Sequence, residues 1–203
     1  MPITKEYTTE AKLETFLNKS ITAGEADDAI NQAVTLIDQY TDRNFIADSE
    51  ASARVFDGTG CDMLEIDECI SITKVERGLD EYGDSKEEIS AGGFNGYYLL
   101  PANRSAENLP IQQIHLRDRY WIKGLQNNQI TAKWGFSESV PEPIVLATTI
   151  LAAGIYMYNR GGASGTVKSE KIGNYSVTYA TPDGWQSLDN AKRILETYKR
   201  YSL

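Results

Sequence analysis

Apolar and polar positions follow two different periods along the 203-residue chain. In residues 9–18 and 25–40, and again in 187–201, apolar side chains recur every three to four positions, which is typical of amphipathic helices. From about residue 53 to residue 135 the period falls to two, which is typical of strands. The pattern predicts an α+β fold: a small bundle of about four helices with an antiparallel β-rich subdomain inserted between the second helix and a central apolar helix.

The central helix is predicted by the longest apolar run, residues 140–159. Two prolines fall in its first turn, where a missing N–H costs nothing. Apolar residues surround the helix, so no full polar face remains for solvent. A membrane span needs about 20 apolar residues, whereas the apolar part of this run, from residue 144 to residue 157, is shorter and contains Thr148 and Thr149. We therefore expect a helix buried in the core or packed between subunits.

The middle of the chain predicts several short strands. Segments 53–57 and 62–66 flank the glycines of residues 58–60, which predicts a β-hairpin. The other predicted strands are 70–76, 97–100, 111–116 and 129–135. The polar connections 79–96 and 101–110 predict exposed loops.

The change between the helical and the strand spacing of apolar residues predicts two domains. We expect residues 1–48 and 136–203 to form a helical core with a C-terminal strand or hairpin and a last helix. Residues 49–135 are expected to form the β-rich insertion. A flexible loop is predicted at residues 161–166 and an alternating stretch at residues 171–180.

Charge and composition narrow the class of protein. A hydrophobic content of 41% is enough for a folded core, and the formal charge of −9 argues against a protein that grips a phosphate backbone. The chain contains neither a signal-peptide pattern nor an apolar segment of membrane length, which predicts a cytosolic protein where it is made and no membrane contact. Cys61 and Cys69 are expected to stay reduced.

Candidate catalytic and metal-binding residues are sparse. His115 is the only histidine, and on an alternating strand it is expected to be a packed or half-exposed residue. No nucleophile motif is present, and the two cysteines and one histidine cannot complete a usual zinc site. We expect the carboxylates of residues 62–68 to form a solvated acidic edge instead of a calcium site. The sequence therefore predicts neither an enzyme nor a cofactor.

The order and spacing of several short patterns carry a family resemblance. They are a helix motif in residues 27–45, then 55–58, 64–66, 72–75, and 130–135 followed by 140–142 and Tyr156. The helix motif consists of Asp27, Asp28, Ala29, Ala33, Ile37, Asp38, Tyr40, Thr41, Arg43 and Phe45. From about residue 7 to residue 179 the chain resembles the head-to-tail connector (adaptor) proteins of tailed bacteriophages, the group related to the HK97 and SPP1 adaptors.

The resemblance implies a ring, commonly of twelve copies, in the neck of a virion assembled in the host cytoplasm. Such an adaptor binds the portal protein on one side and a stopper or tail-completion protein on the other. Double-stranded DNA passes through its channel without sequence-specific binding, and the family has no catalytic residues. Portal-binding residues expected on this basis are Tyr175, Tyr179, Trp185, Tyr198 and Tyr201. Subunit-packing residues expected are Ile144, Ile150, Leu151, Ile155 and Tyr156.

An alternative function remains open from the residues alone. Aromatic side chains of the β insertion could line a cleft, which would make the protein a monomeric ligand- or carbohydrate-binding module. The residues concerned are Tyr97, Tyr98, Trp121 and Trp134.

Overall fold

The computed structural model describes residues 5–160, 170–172, 175–177 and 184–200, with side chains from residue 189 onward in the last range and none in the two short ranges. The chain divides into two compact units, which we call the helical unit (Met1–Arg43 with Val140–Leu203) and the β unit (Asn44–Ser139). The described residues contain five helices and a six-stranded antiparallel sheet, so the predicted α+β class is confirmed.

The helical unit contains four helices and a short strand pair among its described residues. The helices are α1 (Glu10–Leu17), α2 (Ala23–Thr41), α4 (Glu142–Asn159) and α5 (Gly184–Glu196). Strand β7 (Glu170–Ile172) pairs with β8 (Tyr175–Val177).

Local chemistry explains where the first two helices begin and end. The Thr9 hydroxyl accepts a hydrogen bond from the Lys12 N–H and caps the start of α1. Asn18 and Asp42 take left-handed backbone angles at the ends of α1 and α2. The apolar face of α2 is buried, as its spacing predicts.

The β unit contains six strands, one of them much longer than predicted. They are β1 (Ser52–Gly58), β2 (Met63–Gly78), β3 (Lys86–Glu88), β4 (Tyr97–Leu100), β5 (Ile111–Leu116) and β6 (Gly124–Trp134). The order is β1-β6-β2-β5-β4, with β3 paired to β2. A short helix, α3 (Arg104–Glu107), lies between β4 and β5.

Strand β2 holds the sheet together because it pairs on both sides. Its first part pairs with β5, its second part pairs with β6, and the register shifts at several points between Glu65 and Lys74. Such bulges bend a strand. The core of the β unit consists of Leu64, Ile66, Cys69, Val75, Ile89, Tyr97, Ile111, Ile114, Leu116, Trp121, Ile130, Ala132 and Trp134.

The predicted hairpin between 53–57 and 62–66 is wrong, because β1 pairs with β6 and not with β2. The Gly58 N–H donates to Asn127 Oδ1 at 2.9 Å. A Cβ at Gly58 would lie 1.7 Å from the carbonyl oxygen of Ile122. A glycine is therefore required at position 58 because the backbone passes close to the residues just before β6, and not because it forms a local turn.

Two further predictions of the β unit need correction. Segments 62–66 and 70–76 belong to the single strand β2, since the bulges preserve pairing across the polar residues between them. The predicted loops 79–96 and 101–110 contain β3 and α3.

Candidate assembly surface

Helix α4 is the central element of the helical unit, where α1, α2 and α5 pack against it. Its covered side includes Ile144, Ala147 and Ala152, none of which is exposed. Thr148 and Thr149 are buried on the same side, and their hydroxyls donate to the carbonyls of Ile144 and Val145, four residues earlier. These hydrogen bonds explain how an apolar helix tolerates two buried hydroxyls.

The opposite side of α4 is apolar and open to solvent. Leu146 is 48% exposed, Met157 is 41% exposed and Ile150 is half-buried. Residues four and seven apart lie on one side of a helix, so these three side chains form a continuous row, which we call the α4 stripe. An exposed apolar row on a central helix is typical of a surface that another molecule covers.

A groove lies between α2, α4 and α5 within the same unit. It has a volume of about 440 Å³ and a mostly apolar lining. Its lining residues include Leu36, Gln39, Tyr40, Leu151, Lys192 and Leu195. We call it the α2–α5 groove. The helical unit therefore presents two apolar features, the α4 stripe and this groove.

The C-terminal end of α4 is fixed by an ion pair. Arg160 donates two hydrogen bonds from Nη2 and one from Nε to the carboxylate of Glu25, with the Nη2–Oε1 distance at 2.9 Å. Hydrogen bonds from Thr22 and then from Arg160 lower the pKa of Glu25. The guanidinium also lies 5.5 Å from the ring centroid of Tyr156. These contacts hold the last turn of α4 against the start of α2.

The five residues predicted to pack between subunits lie at different depths. Ile144 and Tyr156 are buried within the helical unit, so their side chains contact their own chain. Ile150, Leu151 and Ile155 are half-buried. Ile150 belongs to the α4 stripe, and Leu151 lines the α2–α5 groove.

The five residues predicted to bind the portal are described only in part. Tyr198 follows α5 and is half-buried. Tyr175 lies in β8 and Trp185 in α5, but their side chains are outside the described residues, as are Tyr179 and Tyr201 entirely.

Sequence reasoning did not single out Leu146, Met157 or Leu36. All three are exposed apolar residues of the helical unit. The signal was present in α4, where every face of the predicted helix is apolar, whereas the helices that pack against it in the described part of the chain are α1, α2 and α5. Which residues face away from the neighbouring helices could not be deduced from the sequence, because it depends on how the helices pack.

The β unit does not form the aromatic cleft that the alternative function requires. Trp121, Trp134 and Tyr97 are core residues, and only Tyr98 is exposed, at 43%. Trp134 donates through Nε1 to the carbonyl of Ser52 at 2.9 Å, so its polar atom is used inside the fold. In this conformation the three buried rings cannot contact a ligand.

His115 forms a polar pair at the surface. Its Nε2 lies 2.7 Å from Asp62 Oδ2, both side chains are exposed, and this hydrogen bond lowers the pKa of Asp62. Among the described residues, no three His, Cys, Asp or Glu side chains converge as a metal ion would require. None of the helices in the described ranges has both the length and the apolar character needed to cross a bilayer.

Comparison with known proteins identifies a shared fold. No protein-family model and no curated protein sequence matches this chain. A chain of the neck of an empty GTA particle, computed with C6 symmetry, is 14% identical with a TM-score of 0.55, and the match covers 100% of this chain and 94% of that chain. A chain of the neck of a native GTA particle, computed with C12 symmetry, is 14% identical with a TM-score of 0.54, covering 100% and 96%.

A third solved structure is the virion of a native gene transfer agent (GTA) particle. The matching chain is 13% identical with a TM-score of 0.56, covering 100% of this chain and 94% of that chain. At these identities the likeness shows that the fold is shared, and it extends over the full length of the sequence.

Proposed function

We propose that this protein is a structural head-to-tail adaptor of a tailed bacteriophage or a related phage-like particle. The observation that carries the proposal is the full-length likeness to chains of GTA necks. The resemblance of the sequence to phage adaptors, which depends on the order and spacing of short motifs, supports the same role. In this role the chain joins the DNA-filled head to the tail and acts without catalysis.

The adaptor assembles as a ring of identical copies beneath the portal. Each copy of a cyclic ring contacts its two neighbours through two different surfaces. The helical unit supplies two apolar surfaces of this kind, the α4 stripe and the α2–α5 groove. A ring of twelve copies agrees with the C12 symmetry used for one of the similar necks.

The channel of the ring surrounds double-stranded DNA without binding its sequence. The β unit contains 16 acidic and nine basic residues, which gives it a formal charge of −7. The helical unit, with 13 acidic and 11 basic residues, is also acidic. Because tight DNA binding needs clustered lysine and arginine, an acidic ring lets DNA pass without strong contacts to break at each step.

The two faces of the ring contact different proteins. We assign residues 161–185 and the last helix to the portal side. The proposed contact residues are Tyr175, Tyr179, Trp185, Tyr198 and Tyr201. Tyrosines are frequent in protein interfaces because they combine a large apolar ring with a polar end. The opposite face contacts a stopper or tail-completion protein.

The test is to make particles without this protein and examine them by negative-stain electron microscopy. The adaptor role predicts DNA-filled heads that lack tails or leak DNA, and restoration of tailed particles by the wild-type gene. In a second arm, the purified protein is mixed with portal and measured by mass photometry, where a ring adds a multiple of 22.6 kDa. Normal tailed particles that contain none of this protein would overturn the proposal.

A further inference from the structure

The first strand of the β unit has one free edge. β1 pairs only with β6, and no strand among the described residues pairs with its other side. Ser52, Ala53, Arg54 and Val55 are all exposed, Val55 at 49%. At the other end of the strand order, β4 is partly covered by a bridge between Ala91 and Tyr97. We call the unpaired side of β1 the β1 edge.

Apart from a register shift between Phe56 and Gly58, the β1 edge carries little of the usual protection of an edge strand. Proteins block such edges with proline, lysine or unpaired charges, because the free N–H and C=O groups accept another strand. The segment Ser52–Gly58 contains neither proline nor lysine. Its two charged side chains are engaged within their own chain: Arg54 pairs with Asp67 at 2.7 Å, and Asp57 Oδ1 accepts from the Gln126 N–H at 2.6 Å. The Ser52 carbonyl accepts from Trp134 Nε1 and the Gly58 N–H donates to Asn127 Oδ1, so the backbone available to a further strand is that of residues 53–57.

Several carboxylates lie on or near β1. Asp57 is on β1, and Asp48 and Glu50 are in the residues just before it. Asp67 is on β2, beyond β6, and contacts the Arg54 side chain. Arg54 is shared between Asp67, at 2.7 Å, and Asp48, at 4.0 Å. Four carboxylates and one guanidinium leave a net negative charge, and we call these four residues the acidic flank. A second copy pairing β1 with β1 would bring the same carboxylates together, and like charges in direct opposition are unfavourable.

We propose that the β1 edge binds an extended segment of a partner protein that carries lysine or arginine side chains, which adds a strand to the sheet. The backbone groups of β1 supply hydrogen bonds, and the acidic flank selects the positive charge of the segment. This is β-strand addition, in which main-chain bonds give affinity and side chains give specificity. The inference does not depend on the adaptor role, because it rests on the β unit alone.

The test compares two capped peptides, Thr-Lys-Val-Lys-Val-Lys-Thr and Thr-Glu-Val-Glu-Val-Glu-Thr, titrated into the full-length protein. Backbone amide shifts and hydrogen exchange are followed by NMR. We expect the lysine peptide to shift and protect amides of residues 52–58 and to bind at least tenfold more tightly than the glutamate peptide. Since the contacts are between exposed charges, higher salt should weaken the binding.

Three variants locate the contact. Val55→Lys adds a cation at the edge and should abolish binding. Glu50→Lys reverses one charge of the acidic flank, whereas Glu107→Lys makes the same change on α3, which follows β4 in the chain, and β4 is the strand at the far end of the strand order from β1. We expect Glu50→Lys to weaken binding about threefold to tenfold and Glu107→Lys to leave it within about twofold.

Three results would overturn the proposal. One is an absence of shifts or protection in residues 52–58 at millimolar lysine peptide. Another is equal binding of the two peptides. The third is protection of β1 that rises with protein concentration without any peptide, which would assign the edge to a second copy. If Val55→Lys fails to fold, the two peptides and the Glu50 and Glu107 variants still test the proposal.

Discussion

Replacing Leu146 by glutamate should prevent ring assembly while leaving the protein folded. Leu146 lies in the α4 stripe and is half exposed in the single copy. A glutamate there keeps its carboxylate in water, and glutamate is a good helix former. We therefore expect the free energy of unfolding to change by less than about 1 kcal/mol.

The effect on assembly is much larger because, in the proposed ring, a neighbouring copy covers this position. Full burial of a leucine side chain is worth about 1.5–3 kcal/mol, and about half of that is available to a neighbour. Enclosing an unpaired carboxylate costs a further ~2 kcal/mol or more. The total of about 3 kcal/mol corresponds to a contact weakened about a hundredfold, and every copy of the ring has the same defect.

The assay is mass photometry of the protein with purified portal, together with negative-stain images of complemented particles. Ala11→Glu is the matched control, since Ala11 is exposed on α1, lines neither the α4 stripe nor the α2–α5 groove, and the substitution adds the same charge. Leu146→Met should assemble normally because it keeps an apolar side chain of similar volume. Rings of Leu146→Glu that form at wild-type concentrations would refute the assignment of the α4 stripe to a subunit contact.

Three further predictions concern stability and reactivity. Asn127→Ala should destabilise the β unit by about 2–4 kcal/mol in denaturant unfolding, since the amide is buried and bonds three backbone groups. A thiol reagent should label Cys61, which is exposed, in the native protein and Cys69 only after unfolding, because burial raises the pKa of the Cys69 thiol to about 12; equal labelling of both would contradict this. Hydrogen bonds from Thr22 and then from Arg160 lower the pKa of Glu25 in the folded protein, so these contacts stabilise the fold fully above the ordinary carboxyl pKa, and this stabilisation is lost as the pH falls through the lowered pKa. Glu25→Gln should therefore lower the melting temperature at neutral pH, with the difference disappearing in acid; a constant difference at all pH values would contradict it.

Local signals in the sequence were sufficient for most elements. The start of α1 is set by Thr9 and its end by Asn18, both adjacent to the helix. Strands 97–100 and 111–116 appear with the predicted bounds because alternation and the prolines beside them are also local. The pairing of β1 was missed because it is decided far along the chain, where Asn127 accepts the Gly58 N–H. A glycine needed for a distant close approach has the same sequence signature as one in a turn.

The α4 stripe is a second feature that could not be located from the sequence alone. It also explains why α4 is apolar on all sides. Three neighbouring helices cover one side of α4, and a solitary molecule would gain solubility from polar residues on the other side. The sequence instead places Leu146, Ile150 and Met157 there. The exposed part of these side chains does not stabilise a single copy, since stabilisation depends on the area removed from water. A contact with a neighbouring copy would remove that area, so the proposed ring gives an all-round apolar helix a physical reason that the isolated fold does not.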